Sequence, residues 1–215
     1  MANVKQQLDI PAIPSLGSSG IVYSESVHNQ NNGVLRLFFT KLVNSIQSVI
    51  GPKGGKYLNN PYGAFQSTVD QTAAATNTAY AMTLNTTDYA NGVSVVSNSR
   101  ITVTDAGIWN LQWSGQFQNS DSQLHDARIW LKINGTVVTG STGFISVPNS
   151  HGGVDGHSIV GWNYFLSLEV NDYVELWWET DNTNVSIQAY PASGNYPSTA
   201  SLIATMSFVS NLPTQ

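Results

Sequence analysis

The chain has 215 residues, with eight Lys and Arg against thirteen Asp and Glu and a formal charge of −5. That balance disfavours a nucleic-acid binder, because neutralising a phosphate backbone needs clustered cations and Arg36, Lys41, Lys53, Lys56, Arg100, Arg128 and Lys132 are scattered along the chain. The absence of cysteine excludes disulfides, thiolate nucleophiles and sulfur-ligated metals.

Charged residues make up only 10% of the chain, against about a quarter in ordinary globular domains. Asn, Ser, Thr, Gln and Gly carry the polarity instead. Uncharged side chains suit packed strand surfaces and subunit contacts, where a lone charge costs desolvation. The N-terminal "MANVKQQLDI" has no basic region followed by a long apolar run, so no secretory signal is expected and synthesis is placed in a cytoplasm. No window approaches 18 uninterrupted apolar residues, so no helical membrane span is expected.

In chain order, residues 1–32 read as an extended arm or linker, because "DIPAIPSLGSSG" punctuates the backbone with Pro11, Pro14, Gly17 and Gly20. Over residues 33–50, Leu35, Phe39, Leu42, Ile46 and Val49 follow spacings of four and three, with Phe38 and Val43 widening the stripe. That period predicts a helix with Asn32 as its N-cap and Gly51-Pro52 as its stop. Such a helix either docks on its own domain or joins a short bundle around a symmetry axis, so it is an oligomerisation or anchoring element. Residues 51–61 form a glycine-rich connector. Its Gly51, Gly54, Gly55 and Lys56 do not make a phosphate loop, since they follow a helix and no Gly-Lys-Ser/Thr closes them.

From residue 62 to 211 the pattern is strands and turns. Strands are predicted near 63–68, 79–85, 93–97, 100–104, 107–118, 126–133, 136–139, 143–147, 157–168, 172–180, 184–190 and 200–210. Asn134-Gly135 is the strongest hairpin signal. No interval between strands is long enough for a crossover helix. Parallel βαβ units are therefore excluded and an all-β antiparallel sandwich or jelly roll is expected.

Several strands are apolar on both faces. Val160, Trp162, Tyr164, Leu166 and Leu168 alternate with Ile159 and Phe165. Leu202, Met206 and Phe208 oppose Ile203 and Val209. Ile129, Leu131 and Ile133 oppose Trp130, and Leu176 and Trp178 oppose Trp177. One set fills the interior, and the other forms a patch that binds something. Together with the helix stripe, Trp130 and Trp177 are the candidate subunit interface. A sugar-binding platform is the rival use of such aromatics.

Catalytic chemistry finds little support. Glu175 and Glu179 lie four apart on one strand, about 13 Å by strand rise, too wide for either glycosidase geometry. In "SHGGVDGH", His151, Asp155 and His157 share one loop. They are candidate apical loop contacts, in a spacing that matches no rigid metal template. No cofactor, metal or enzymatic activity is expected.

The runs "DAGIWNLQWSGQF", "ARIWLKINGTVV" and "LSLEVNDYVELWWETDNTNVSIQAY" resemble the C1q/TNF-like jelly roll, with Ala64-Phe65 in the opening strand and Gly107 and Trp109 entering a central one. Asn134-Gly135 supplies that family's hairpin, and Met206 and Phe208 its last strand, while Asn171-Asp172 departs from its Gly-Asp turn. The stretches "YGAFQSTVDQTAAATNTAYAMTLNTTDYANGVSVVSNSRITVTDAG" and "GWNYFLSLEVNDYVELWWETDN" are similar to virion-associated proteins of tailed bacteriophages, particularly those infecting cyanobacteria. The resemblance implies a homotrimeric jelly roll on a phage particle, made in a host cytoplasm. It leaves open a head decoration or spike, a tail fibre or other tail component, and a trimeric module that attaches to host surface glycan.

Overall fold

The computed structural model describes residues 11–18, 20, 22–50 and 60–211, without the side chains of 48–50. The expected connector at 51–59, its phosphate-loop alternative, the Gly51-Pro52 stop and the Val49 side chain therefore lie outside the described residues. Residues 1–59 and 60–215 form two compact units.

The first unit holds one helix, α1 (Glu25–Ile50), which starts eight residues before the expected position 33. The sequence "ESVHNQNNG" has no apolar period, so hydrophobic patterning cannot reveal the first two turns. Local chemistry makes them instead. Ser24, not Asn32, is the cap, its Oγ accepting from Val27 N at 3.5 Å, and Glu25 sits in the first turn, where the helix dipole favours an anion. Of the expected arm over 1–32, residues 11–18 carry no regular structure, residues 25–32 belong to α1, and residues 1–10 lie outside the described residues. Asn31 clamps that arm with both amide atoms, donating from Nδ2 to Gly17 O at 2.9 Å and accepting from Gly17 N at 3.0 Å.

The second unit is a two-sheet β structure. Its strands are β1 (Tyr62–Ser67), β2 (Gln71–Thr72), β3 (Tyr80–Ala81), β4 (Thr86–Asn91) and β5 (Val93–Val96). There follow β6 (Arg100–Val103), β7 (Gly107–Asn119), β8 (His125–Ile133), β9 (Thr136–Val137) and β10 (Gly143–Val147). The last are β11 (Gly156–Leu168), β12 (Tyr173–Thr180), β13 (Val185–Ile187) and β14 (Leu202–Ser210). Every pairing is antiparallel.

Sheet I runs β2-β13-β7-β14-β1-β4 with β11 also on β7, and sheet II runs β10-β8-β12-β6-β5 with β9 and β3 beside it. Because β11 pairs with all of Gly107–Asn119, β14 and β13 share the opposite edge of β7, over Ile108–Gly115 and Phe117–Asn119 respectively.

The period-two reading of β7 holds along its whole length: Trp109, Leu111, Trp113 and Phe117 are buried between the sheets. They share one core with Leu131, Leu176 and Trp178 from sheet II and Met206, Leu202 and Phe65 from sheet I. Phe117 and Trp178 touch edge to face at 5.9 Å, and Trp109 and Phe208 at 5.4 Å. At the open seam between β11 and β10, Trp162 covers Gly143. A Cβ there would lie 2.3 Å from the indole, so only glycine admits the ring. Tyr164 completes the seam by donating to Ser141 O at 2.8 Å. The Asn134-Gly135 hairpin forms as expected, with φ of 50° and 80°, the left-handed pair a two-residue turn needs.

Several elements depart from expectation: β2 was not expected, and the expected strand 184–190 shortens to Val185–Ile187. β4, "TTDYAN", was not expected as a strand, and it pairs with β1 at the edge of sheet I. An edge strand with little buried surface needs no apolar alternation. The expected strand 79–85 shrinks to β3, although Met82 and Leu84 still fill the core. Their backbone bonds go singly to Leu176 O and Asn98 O instead of into a ladder.

Candidate functional site: two outer sheet faces and a loop end

The outer face of sheet II is a cross-strand lattice of charge and aromatic rings. Trp130 and Trp177 stand directly opposite each other on β8 and β12, both half-buried. The Lys132 ammonium sits 3.4 Å above the Trp177 ring, Arg100 lies 4.7 Å over Tyr173 and Arg128 5.5 Å over Phe144. Arg128 also donates to Glu179 at 2.7 Å. That bond holds its guanidinium above its ordinary value. Glu175 is only 6% exposed, accepts from Ser99 Oγ at 2.7 Å and faces Arg100 Nε at 3.7 Å. Both glutamates considered as a catalytic pair are thus tied into this lattice with separate partners.

These three cations are all that residues 60–215 contain, against eleven acids. The second unit therefore has a net charge of −8, and every positive charge it has lies on one face.

Sheet I is the opposite case. The outward positions of β11 are His157, Ile159, Gly161, Asn163, Phe165 and Ser167, and those of β7 are Ile108, Asn110, Gln112, Ser114, Gln116 and Gln118. β14 adds Ile203, Thr205, Ser207 and Val209, and β1 adds Tyr62, Ala64 and Gln66. No Asp, Glu, Lys or Arg occurs in this set. Ile159 is 76% exposed and Phe165 65%, with Ile203, Val209 and Tyr62 also exposed. Ile159, Phe165, Ile203 and Val209 are the second-face residues expected from the sequence; charges alternate with Trp130 and Trp177, the expected interface residues, whereas none alternates with Ile159 and Phe165.

The end of the unit beyond Asn119 gathers His125, His151 and His157. His151 tips a tight turn, exchanging both backbone bonds with Val154 across Gly152 and Gly153, with φ of 60° and 81°. Asp155 and His157 are brought into one network, and exposed His151 stays outside it. Gln118 Nε2 donates to Asp155 at 2.7 Å, Tyr190 donates to Gln118 Oε1, and the Tyr190 hydroxyl meets His157 Nδ1 at 3.3 Å. Burial first, then Asp155 and Asp70, push the Tyr190 hydroxyl up.

On the sheet II side of this end, His125 bridges Asp121 at 3.4 Å and Asp181 at 3.2 Å. The Asn184 amide, followed by the Gln123 N–H, holds the Asp121 carboxyl below the usual carboxylate range. Among the described residues no three His, Asp or Glu side chains converge to hold a metal ion.

In the first unit, Leu35 and Leu42 are half-buried, and Phe39 and Ile46 are 56% and 46% exposed. Among the described residues of α1 none is buried. No family model matches the sequence, and no curated protein is a significant match to it.

Proposed function

We propose that the chain is a non-enzymatic structural protein of a bacteriophage particle, a homotrimer assembled on a jelly roll, serving as a head decoration or spike or as a tail-associated component. The observation that carries this reading is the outer face of sheet I, where exposed Ile159, Phe165, Ile203 and Val209 stand among uncharged polar side chains on a surface centred on the two longest strands, β7 and β11. Two units of −8 repel wherever their acids meet. The outward positions of β11, β7, β14 and β1 carry no charge, with Asp155 and Asp88 held at the margins by Gln118 and Gln66, so this is the surface on which identical copies meet the fewest opposing charges.

Its size is adequate. Strands of thirteen, thirteen, nine and six residues at about 3.3 Å per residue and about 4.8 Å per strand give about 650 Å², within the range one partner contributes to a stable interface of about 1,200–2,000 Å² in total. The jelly-roll reading is supported by the wiring. β7 and β8, β10 and β11, and β11 and β12 are consecutive strands in opposite sheets, whereas β1 and β14, from the two ends of the unit, are neighbours. The phage assignment rests on the sequence resemblance.

Light scattering on the purified protein is expected to give about three times the 23.2 kDa chain mass, and a clean monomer at micromolar concentration overturns the reading. A host-surface carbohydrate-binding module is the second reading, favoured by half-exposed Trp130 on sheet II. It cannot use the ring face of Trp177 that Lys132 covers. Selective retention on a glycan array, lost in Trp130→Ala, would favour it.

A further inference from the structure

The charges of this chain are partitioned along its length. Between Glu25 and Asp70 there is no acidic residue, and Arg36, Lys41, Lys53 and Lys56 give that interval a charge of +4, ahead of a unit of −8. Within α1, at about 100° per residue, Val34 and Val43 lie about 180° apart, and Leu35, Phe38, Phe39, Leu42 and Ile46 fall on the arc between them. Arg36 and Lys41 each stand one heptad from a rim residue, Arg36 from Val43 and Lys41 from Val34, so each lies about 20° outside the arc. Leu37, beside Lys41, widens the apolar side further. Phe38 and Phe39 meet edge to face at 5.4 Å within it, and Leu37, Phe39, Val43 and Ile46 are exposed.

A helix docked on a protein presents a stripe of about 100°, and a coiled-coil seam is narrower still. A mostly apolar half circumference, interrupted by Ser45 and flanked by long cations at Arg36 and Lys41, is the geometry of a helix half-immersed in a headgroup layer, its cations reaching up to the phosphates. No helix among the described residues is long and apolar enough to cross a membrane, so immersion in the plane is the relevant mode.

We propose that α1 is a docking helix for an anionic lipid surface, held by the arc from Val34 to Val43 and by Arg36 and Lys41. This deepens the anchoring role of the helix in the assembly described above. A homomeric bundle is disfavoured by the charges: three copies bring Arg36 and Lys41 together with no acid between Glu25 and Asp70 to offset them.

Flotation of the full chain with vesicles tests it, using phosphatidylcholine alone against phosphatidylcholine mixed with phosphatidylglycerol. The protein is expected to float with the mixed vesicles and not with the neutral ones. Arg36→Gln with Lys41→Gln, both exposed positions, should weaken partitioning about twenty- to thirty-fold. Phe39→Asp should abolish it with the particle mass unchanged. Absence of flotation, or equal flotation on both vesicle types, overturns the proposal, as does a fall in mass in Phe39→Asp, which would make the helix a subunit contact or the seat of an acidic protein. Because mass is read on the same samples, a trimer that does not float sinks this inference alone, and a monomer that floats sinks only the trimeric assembly.

Discussion

The two outer faces of the β unit solve the same problem differently. Each sheet has large apolar side chains on its outward side. Sheet II covers most of its own: Lys132 lies on Trp177 and Arg100 on Tyr173, with Glu175 and Glu179 paired to Arg100 and Arg128, while Phe144 at its edge stays 73% exposed beside Arg128. Sheet I leaves Ile159 and Phe165 exposed among uncharged polar residues. What distinguishes the two faces is whether the adjacent positions carry charges that must stay wet.

Several substitutions would break or sharpen this contrast, and the largest effect is expected on sheet I. Ile159→Asp with Phe165→Asp should convert the particle to monomers, read by light scattering, with the far-ultraviolet strand signal unchanged. Retention of full mass would remove sheet I from the assembly. Next, Trp109→Ala, deep in the core beneath that face, should cost about 3–5 kcal/mol in chemical denaturation, and a loss near zero would contradict its complete burial.

A smaller effect is expected on sheet II. Trp177→Ala should lower stability by about 1–2 kcal/mol, combining a lost cross-strand pair and a lost cation–aromatic contact, while the mass stays that of the wild type. Dissociation in that variant would reverse the roles of the two faces.

The smallest effect is a pH dependence at the loop end. The folded Asp121 carboxyl is held below its ordinary value, so its stabilisation is complete above the unfolded pKa of about 3.9 and is lost as pH falls through the folded one. Asp121→Asn should flatten the fall in melting temperature below pH 4. An identical acid profile would show that other carboxylates dominate.

Most of the β unit was legible in the sequence because its central strands are amphipathic. The period of two in "GIWNLQWSGQF" follows from Trp109, Leu111, Trp113 and Phe117 pointing into one core, and the Asn134-Gly135 turn from two left-handed residues. What patterning could not reach were elements held by polar or local bonds. The first two turns of α1 depend on Ser24 and Glu25, and β4 on pairing with β1. At the candidate site, Asp155 and His157 were grouped correctly with each other, but Gln118 and Tyr190, which join them, come from strands and loops far away in the chain.

By itself the sequence determined which residues could be buried and where the chain must turn, since side-chain hydrophobicity and backbone sterics act over a few neighbouring positions. Only the tertiary structure decided which outward aromatics are covered, because that depends on charges brought alongside from other strands. Lys132 is 45 residues from Trp177 in the chain and 3.4 Å from its ring in the fold.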